Sequence, residues 1–151
     1  MKRTRTALLW AAALCLLLGA VVLSLPGSGG RVDQPYRYPV VPGTEEWRAL
    51  PDLRAKIAAC EVDRELMESM TTPALLQTVL DYPLLVNVFA FDTSEMGLSA
   101  VSTYFDGIDL LAQREDAAKV IREYAPEEGD TLSGAYLRAL LRHIEGASAK
   151  Q

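Results

Sequence analysis

The sequence predicts an all-α fold, a compact array of short helices preceded by one N-terminal transmembrane or signal helix and an extended Pro/Gly linker. Three observations predict it. Lys2, Arg3 and Arg5 precede an uncharged apolar run from Ala7 to Leu25; proline and glycine crowd residues 26–43; and beyond Gly43 apolar residues recur at helical spacing between Thr or Asp caps and Pro or Gly stops. The organisation that follows is 1–25 signal-anchor or signal peptide, 26–43 Pro/Gly-rich linker and 44–146 all-α extracytoplasmic domain.

The nineteen residues from Ala7 to Leu25, as a helix, reach roughly 28 Å, close to the roughly 30 Å of a bilayer's hydrocarbon core. A cleaved signal has a shorter apolar core, about 7 to 15 residues, so length favours a retained anchor. The alternative is cleavage after Ser24, with Val22 at the other small-residue position and the helix-breaking Pro26-Gly27 just beyond, which would release a secreted domain. Cys15 is not read as a lipid acceptor, because Leu14 precedes it and the apolar run continues past it. On every reading the basic residues hold the amino terminus in the cytoplasm and the domain lies outside, single-pass in the cell membrane if the helix is retained.

Residues 26–43 begin with a glycine-rich stretch and continue through Pro35, Pro39 and Pro42, a composition that favours an extended course and spaces the domain from the bilayer. Tyr36 and Tyr38 are read as packing on the domain rather than as a docking strip.

Thr44 caps a turn holding Glu45, Glu46 and Trp47, closed by Pro51; Asp52 caps a helix with Leu53, Ile57 and Cys60 on one face; Asp63 precedes Leu66, Met67 and Met70. Thr72-Pro73 is a start signal, proline at the first helical position losing no hydrogen bond, and Leu75, Leu76, Val79 and Leu80 form a stripe ending at Tyr82-Pro83. Residues 84–91 have strand-like composition but no second strand to pair with, so they are read as a buried helix begun by Pro83. Asp92 with Glu95 forms a capping box leading into Leu98, Val101 and Phe105, and Asp106-Gly107 breaks that helix. Ile108, Leu110 and Leu111 mark a short helix, and Ala117, Val120, Ile121 and Tyr124 another that Pro126 ends. A last helix runs from about Thr131 to Glu145 with Leu132, Tyr136, Leu140 and Ile144 inward and Gly146 as its stop. No solenoid-period repeat is present.

Beyond residue 30 the chain carries 12 Lys or Arg against 20 Asp or Glu, a formal charge of −8. No basic stripe is available to neutralise phosphates, which excludes nucleic acid as a partner and disfavours anionic headgroups. The 108 residues from Thr44 onward suffice for one small domain. Cys60 is the only cysteine outside the apolar run, so the domain holds no internal disulfide, and Ala58-Ala59-Cys60 reads as buried apolar packing rather than a reactive thiol.

The segment from Met70 to Leu85, MTTPALLQTVLDYPLL, resembles a helical domain of secreted or surface-tethered bacterial proteins whose function is uncharacterised. Trp47, Ala59-Cys60, Phe91, Gly97, Phe105-Asp106-Gly107, Leu111, Arg114, Asp116-Ala117 and Tyr124 follow in similar order, so that the likeness spans roughly residues 36–125. The family often has Asn where Asp106 stands, which keeps the turn chemistry, and the helix after Gly129 lies outside the resemblance. What the resemblance implies is an extracytoplasmic helical module, with no mechanism attached.

No residue pattern demands catalysis or a cofactor. His143, the only histidine, has just Glu145 near it, and successive helical positions do not converge on one metal. No G-x-S-x-G surrounds Ser69, Ser94, Ser99 or Ser102. The pairs Glu65/Glu68 and Glu127/Glu128 read as solvated charge, and the Glu127-Glu128-Gly129-Asp130 loop lacks the spacing of a calcium site. Tyr82-Pro83-Leu84-Leu85 is the most distinctive local element, a candidate binding or packing motif read here as packing. The expected function is that of a protein- or peptide-binding or scaffolding module at the bacterial envelope, held to the membrane through residues 7–25; the alternative is a small envelope hydrolase using scattered carboxylates.

Overall fold

Runs this short, each soon stopped, give helices of five to nine residues, with eighteen in the last. The computed structural model describes residues 31–124 and 131–148, with the backbone alone at 131, 147 and 148. The expected span at 7–25, the Ser24 cut, Cys15, Pro126 and the 127–130 loop lie outside the described residues. Among the described residues no helix is long and apolar enough to cross a membrane.

The chain folds as α1 (Glu45–Ala49), α2 (Leu53–Ala59), α3 (Arg64–Ser69), α4 (Thr72–Leu80), a 3₁₀ segment (Leu85–Ala90), α5 (Ser94–Ser102), α6 (Gly107–Ala112), α7 (Ala117–Glu123) and α8 (Thr131–Ser148). The all-α expectation holds, with one isolated bridge, Val32 to Met70, as the sole β pairing among the described residues. The two predicted caps, Thr44 and Asp52, form and Asp63 makes a third: the amide groups of Trp47, Ala55 and Leu66 donate to the three side chains at 3.2, 2.9 and 3.0 Å. Each satisfies an amide that has no partner within its helix.

Helix α4 is the centre. Ala74, Leu75, Leu76, Thr78 and Val79 are all buried, and α4 packs against α6 and α7, while α5 packs against the 3₁₀ segment and α8. Cys60 is free and buried, as expected of a small apolar residue. At Gly97 a Cβ would stand 2.0 Å from the Val88 carbonyl oxygen, so only glycine lets α5 approach the 3₁₀ backbone so closely.

Several sequence expectations are corrected. Residues 84–91 are helical but not wholly buried: with three residues per turn, Leu85 and Val88 share the inner face while Val86 and Phe89 share an outer one. The cap of α5 is Thr93, whose hydroxyl accepts from Met96 N–H at 3.2 Å, rather than Asp92. Thr72 is the first helical residue of α4 and its hydroxyl donates to Asp116 at 2.6 Å, leaving Thr71 at the cap position and Pro73 second. Asp106-Gly107 opens α6 rather than ending α5, which stops at Ser102. Gly146 does not stop α8, and Leu132 is exposed although Tyr136, Leu140 and Ile144 face inward. The packing of Tyr36 and Tyr38 on the domain holds as the sequence predicts, and it reaches back further than expected, since Val32 packs there too and the compact unit starts at Arg31.

Candidate functional site

Proline and leucine after Tyr82 turn the chain out of α4 and into the 3₁₀ segment, and that turn helps build an apolar depression on the domain. All four residues of the Tyr82-Pro83-Leu84-Leu85 motif are buried. Tyr82 stacks on Phe105 at 3.9 Å between ring centroids and meets Tyr38 edge-on at 5.7 Å. Burial raises the phenols of Tyr38 and Tyr82 above their ordinary range, with their mutual proximity adding to the effect at Tyr38 and Cys60 adding at both; burial likewise raises the Cys60 thiol. Tyr82 and Leu85 are therefore packing residues of the core.

Pro83 and Leu84 face a groove of about 360 Å³ whose other walls are Pro42, Trp47, Asp52, Leu53, Lys56, Val86 and Asn87. Lys56 lies 5.1 Å over the Trp47 ring, a cation–π contact that covers one indole face. Asn87 is fixed by its amide, which donates to the Tyr104 hydroxyl at 3.3 Å. Leu53 is 50 % and Val86 54 % exposed, so two aliphatic side chains stand open at the groove.

One 3₁₀ turn beyond Val86, Phe89 is 45 % exposed and stacks on Tyr136 of α8 with centroids 5.0 Å apart. Phe91 and Met96 are exposed as well, at 42 % and 53 %. Four of the seven exposed large hydrophobics among the described residues thus lie between positions 86 and 96, a clustering that ordinary surface scatter does not produce. This ridge escaped the sequence reading, which assigned the whole 84–91 run to the interior. The signal was present in the three-residue spacing of Val86 and Phe89 against Leu85 and Val88.

A second cleft, about 330 Å³, lies between Cys60–Arg64 and Tyr104–Asp106. Three of its four charged side chains are engaged, Asp63 capping α3 and Arg64 bonding Asp106 and also Glu68, each at 2.8 Å, while Glu61 is exposed. Asp81 is exposed at the end of α4, where desolvation by its neighbours raises its carboxyl above the usual range, opposed by the Gln77 amide that donates to it at 2.8 Å. Of the carboxylates singled out in the sequence, Glu68 is paired to Arg64 and lies on the outside of α3. His143 is half-buried on α8. No group of three or more His, Cys, Asp or Glu side chains is placed to hold a metal ion among the described residues.

Comparison with protein-family models, with curated proteins and with solved structures found no match to this chain.

Proposed function

We propose that the chain is a membrane-tethered, extracytoplasmic helical domain that binds a partner protein at the bacterial envelope. The groove beside Trp47 takes an apolar side chain of the partner, and the Val86–Phe89 ridge supplies the rest of the contact. The observation that carries this reading is the outward face of the 3₁₀ segment, where Val86 and Phe89 stand exposed side by side next to a groove floored by Pro83 and Leu84. Aromatic and aliphatic side chains held rigidly at a concave surface are the usual anchors of protein recognition. The basic start and the apolar run at 7–25 support the tether, and the acidic balance of the remainder argues against nucleic acid.

Site-specific photo-crosslinking in intact cells tests it. A crosslinker at Val86 is expected to give a discrete adduct that Phe89→Ser reduces at least fivefold, whereas a crosslinker at Glu123 on α7 gives none. Equal adduct patterns from the two positions would refute the assignment of the ridge as the docking face.

A further inference from the structure

The stretch that composition marks as an eighteen-residue spacer is fastened to the domain at points from Val32 to Tyr38. Val32 N–H donates to the Ser69 carbonyl at 2.8 Å, and Thr71 N–H donates to the Val32 carbonyl at 2.9 Å, closing the isolated bridge at the α3–α4 junction. Further along, Tyr36 N–H donates to Thr78 Oγ1 at 2.9 Å and the Tyr38 hydroxyl donates to the Thr78 carbonyl at 3.1 Å. Thr78 is completely buried, and its hydroxyl proton is directed to the Ala74 carbonyl at 2.9 Å, which leaves its oxygen free to accept from the strap. Edge-on contacts from Tyr36 to Tyr38 and from Tyr38 to Tyr82 complete the attachment. The strap therefore runs along α4 from its beginning nearly to its end.

Covalent geometry turns this into a length. From Leu25, the end of the apolar run, to the first fastened residue is seven residue steps, at most about 25 Å whatever conformation they take; to Thr44, with the strap loose, it would be nineteen steps, about 65 Å. A compact unit of about 120 residues is roughly 35 Å across. We propose that the strap is a tether-shortening device, which keeps the binding face within about 60 Å of the bilayer, inside the reach of a protein embedded in or bound to the same membrane. This rests on residues 7–25 being retained as an anchor, and it adds to that reading the distance at which the binding face is held from the bilayer.

The full chain tests it in vesicles of phosphatidylethanolamine and phosphatidylglycerol. Carrying Cys15→Ser and Glu65→Cys, it takes a donor dye on α3 beside the strap's first fastening, while an acceptor is placed on the lipid headgroups; Cys60 is buried and does not compete for label. Energy transfer is expected to be strong and to fall at least twofold when twenty Gly/Ser residues are inserted between Gly30 and Arg31, an insertion outside the packed unit. Val32→Pro with Tyr36→Ser and Tyr38→Ser, which removes the Val32 amide hydrogen bond at the first fastening as well as the tyrosine contacts, is expected to move transfer in the same direction; should that variant unfold, the insertion still decides. Transfer that the insertion leaves unchanged, in a chain that stays with the vesicles, overturns the short tether while leaving the anchor intact. A mature terminus at Leu25 and a soluble domain in cells overturn the anchor itself, and with it the tether.

Discussion

Gly97→Ala is the sharpest probe of how the docking ridge is held. The new methyl would lie 2.0 Å from the Val88 carbonyl oxygen and 2.7 Å from Val88 C and Cα, whereas ordinary contact begins near 3.4 Å. No side-chain rotation relieves a clash with backbone, so α5 and the 3₁₀ segment must part by roughly 1.4 Å, the difference of those two distances. A gap of that size costs buried side chains a large part of their dispersion contact, and Leu85, Val88, Leu98 and Val101, each 1 % exposed or less, line the junction. Overpacking costs about 1–3 kcal/mol, and a backbone clash belongs at the upper end. Alanine's better helix propensity returns about 1 kcal/mol, leaving a net loss of about 2 kcal/mol, or roughly 8 °C in Tm for a domain of this size. Thermal unfolding followed by far-UV circular dichroism measures it, with Gly146→Ala as the control: nothing lies within 4 Å of that Cβ, so propensity alone acts and Tm holds or rises. A Gly97→Ala protein that melts at or above the parent would show that α5 does not press on the 3₁₀ backbone.

Tyr38→Phe removes a buried hydrogen bond to Thr78 and is expected to cost about 1 kcal/mol near neutral pH. Because burial raises this phenol in the folded state, the parent loses stability as pH climbs through the unfolded tyrosine value near 10; the variant should lose less, and urea midpoints taken at neutral and alkaline pH should converge. Glu95 behaves in the opposite sense: its own backbone amide, together with Arg142 at 3.1 Å, holds the carboxyl below its ordinary range. Its contribution is present above the unfolded value near 4.5 and is lost as pH falls through the lower folded one, so Glu95→Gln should flatten the acid limb of a Tm-against-pH curve between about pH 5 and 3; an unchanged limb would count against the pair. Among the described residues Ser102 Oγ is buried with no hydrogen-bond partner, so Ser102→Ala is expected to raise stability by about 1 kcal/mol in urea titration, and a loss would reveal a bond to that hydroxyl.

Local chemistry made much of the fold legible. Thr44, Asp52 and Asp63 are caps because a short oxygen-bearing side chain reaches an unsatisfied amide wherever it precedes a helix, and the stripe from Leu75 to Val79 is buried because its spacing fits no surface role. Cap choice failed where two candidates were adjacent: Asp92 and Thr93 both qualify, and the packing of α5 at Gly97 fixes where its first turn begins. The candidate site was legible only in part. Tyr82-Pro83-Leu84-Leu85 stood out as a motif, yet composition does not say which side of a buried segment faces a wall and which faces water.

The sequence by itself determined the all-α class, the acidic balance, the absence of an internal disulfide between cysteines of the domain, and most helix starts, since each depends on neighbours a few residues apart. Tertiary structure decided the rest. A run of apolar residues has no intrinsic inside, so the exposure of Val86 and Phe89 follows from Leu85 and Val88 being claimed by α5. A Pro-rich segment has no intrinsic attachment, so the strap exists because Thr78, some forty residues away, offers a buried oxygen and a carbonyl to Tyr36 and Tyr38. Such contacts between distant residues are fixed only when the chain closes on itself, which is where burial and hydrogen bonding override local preference.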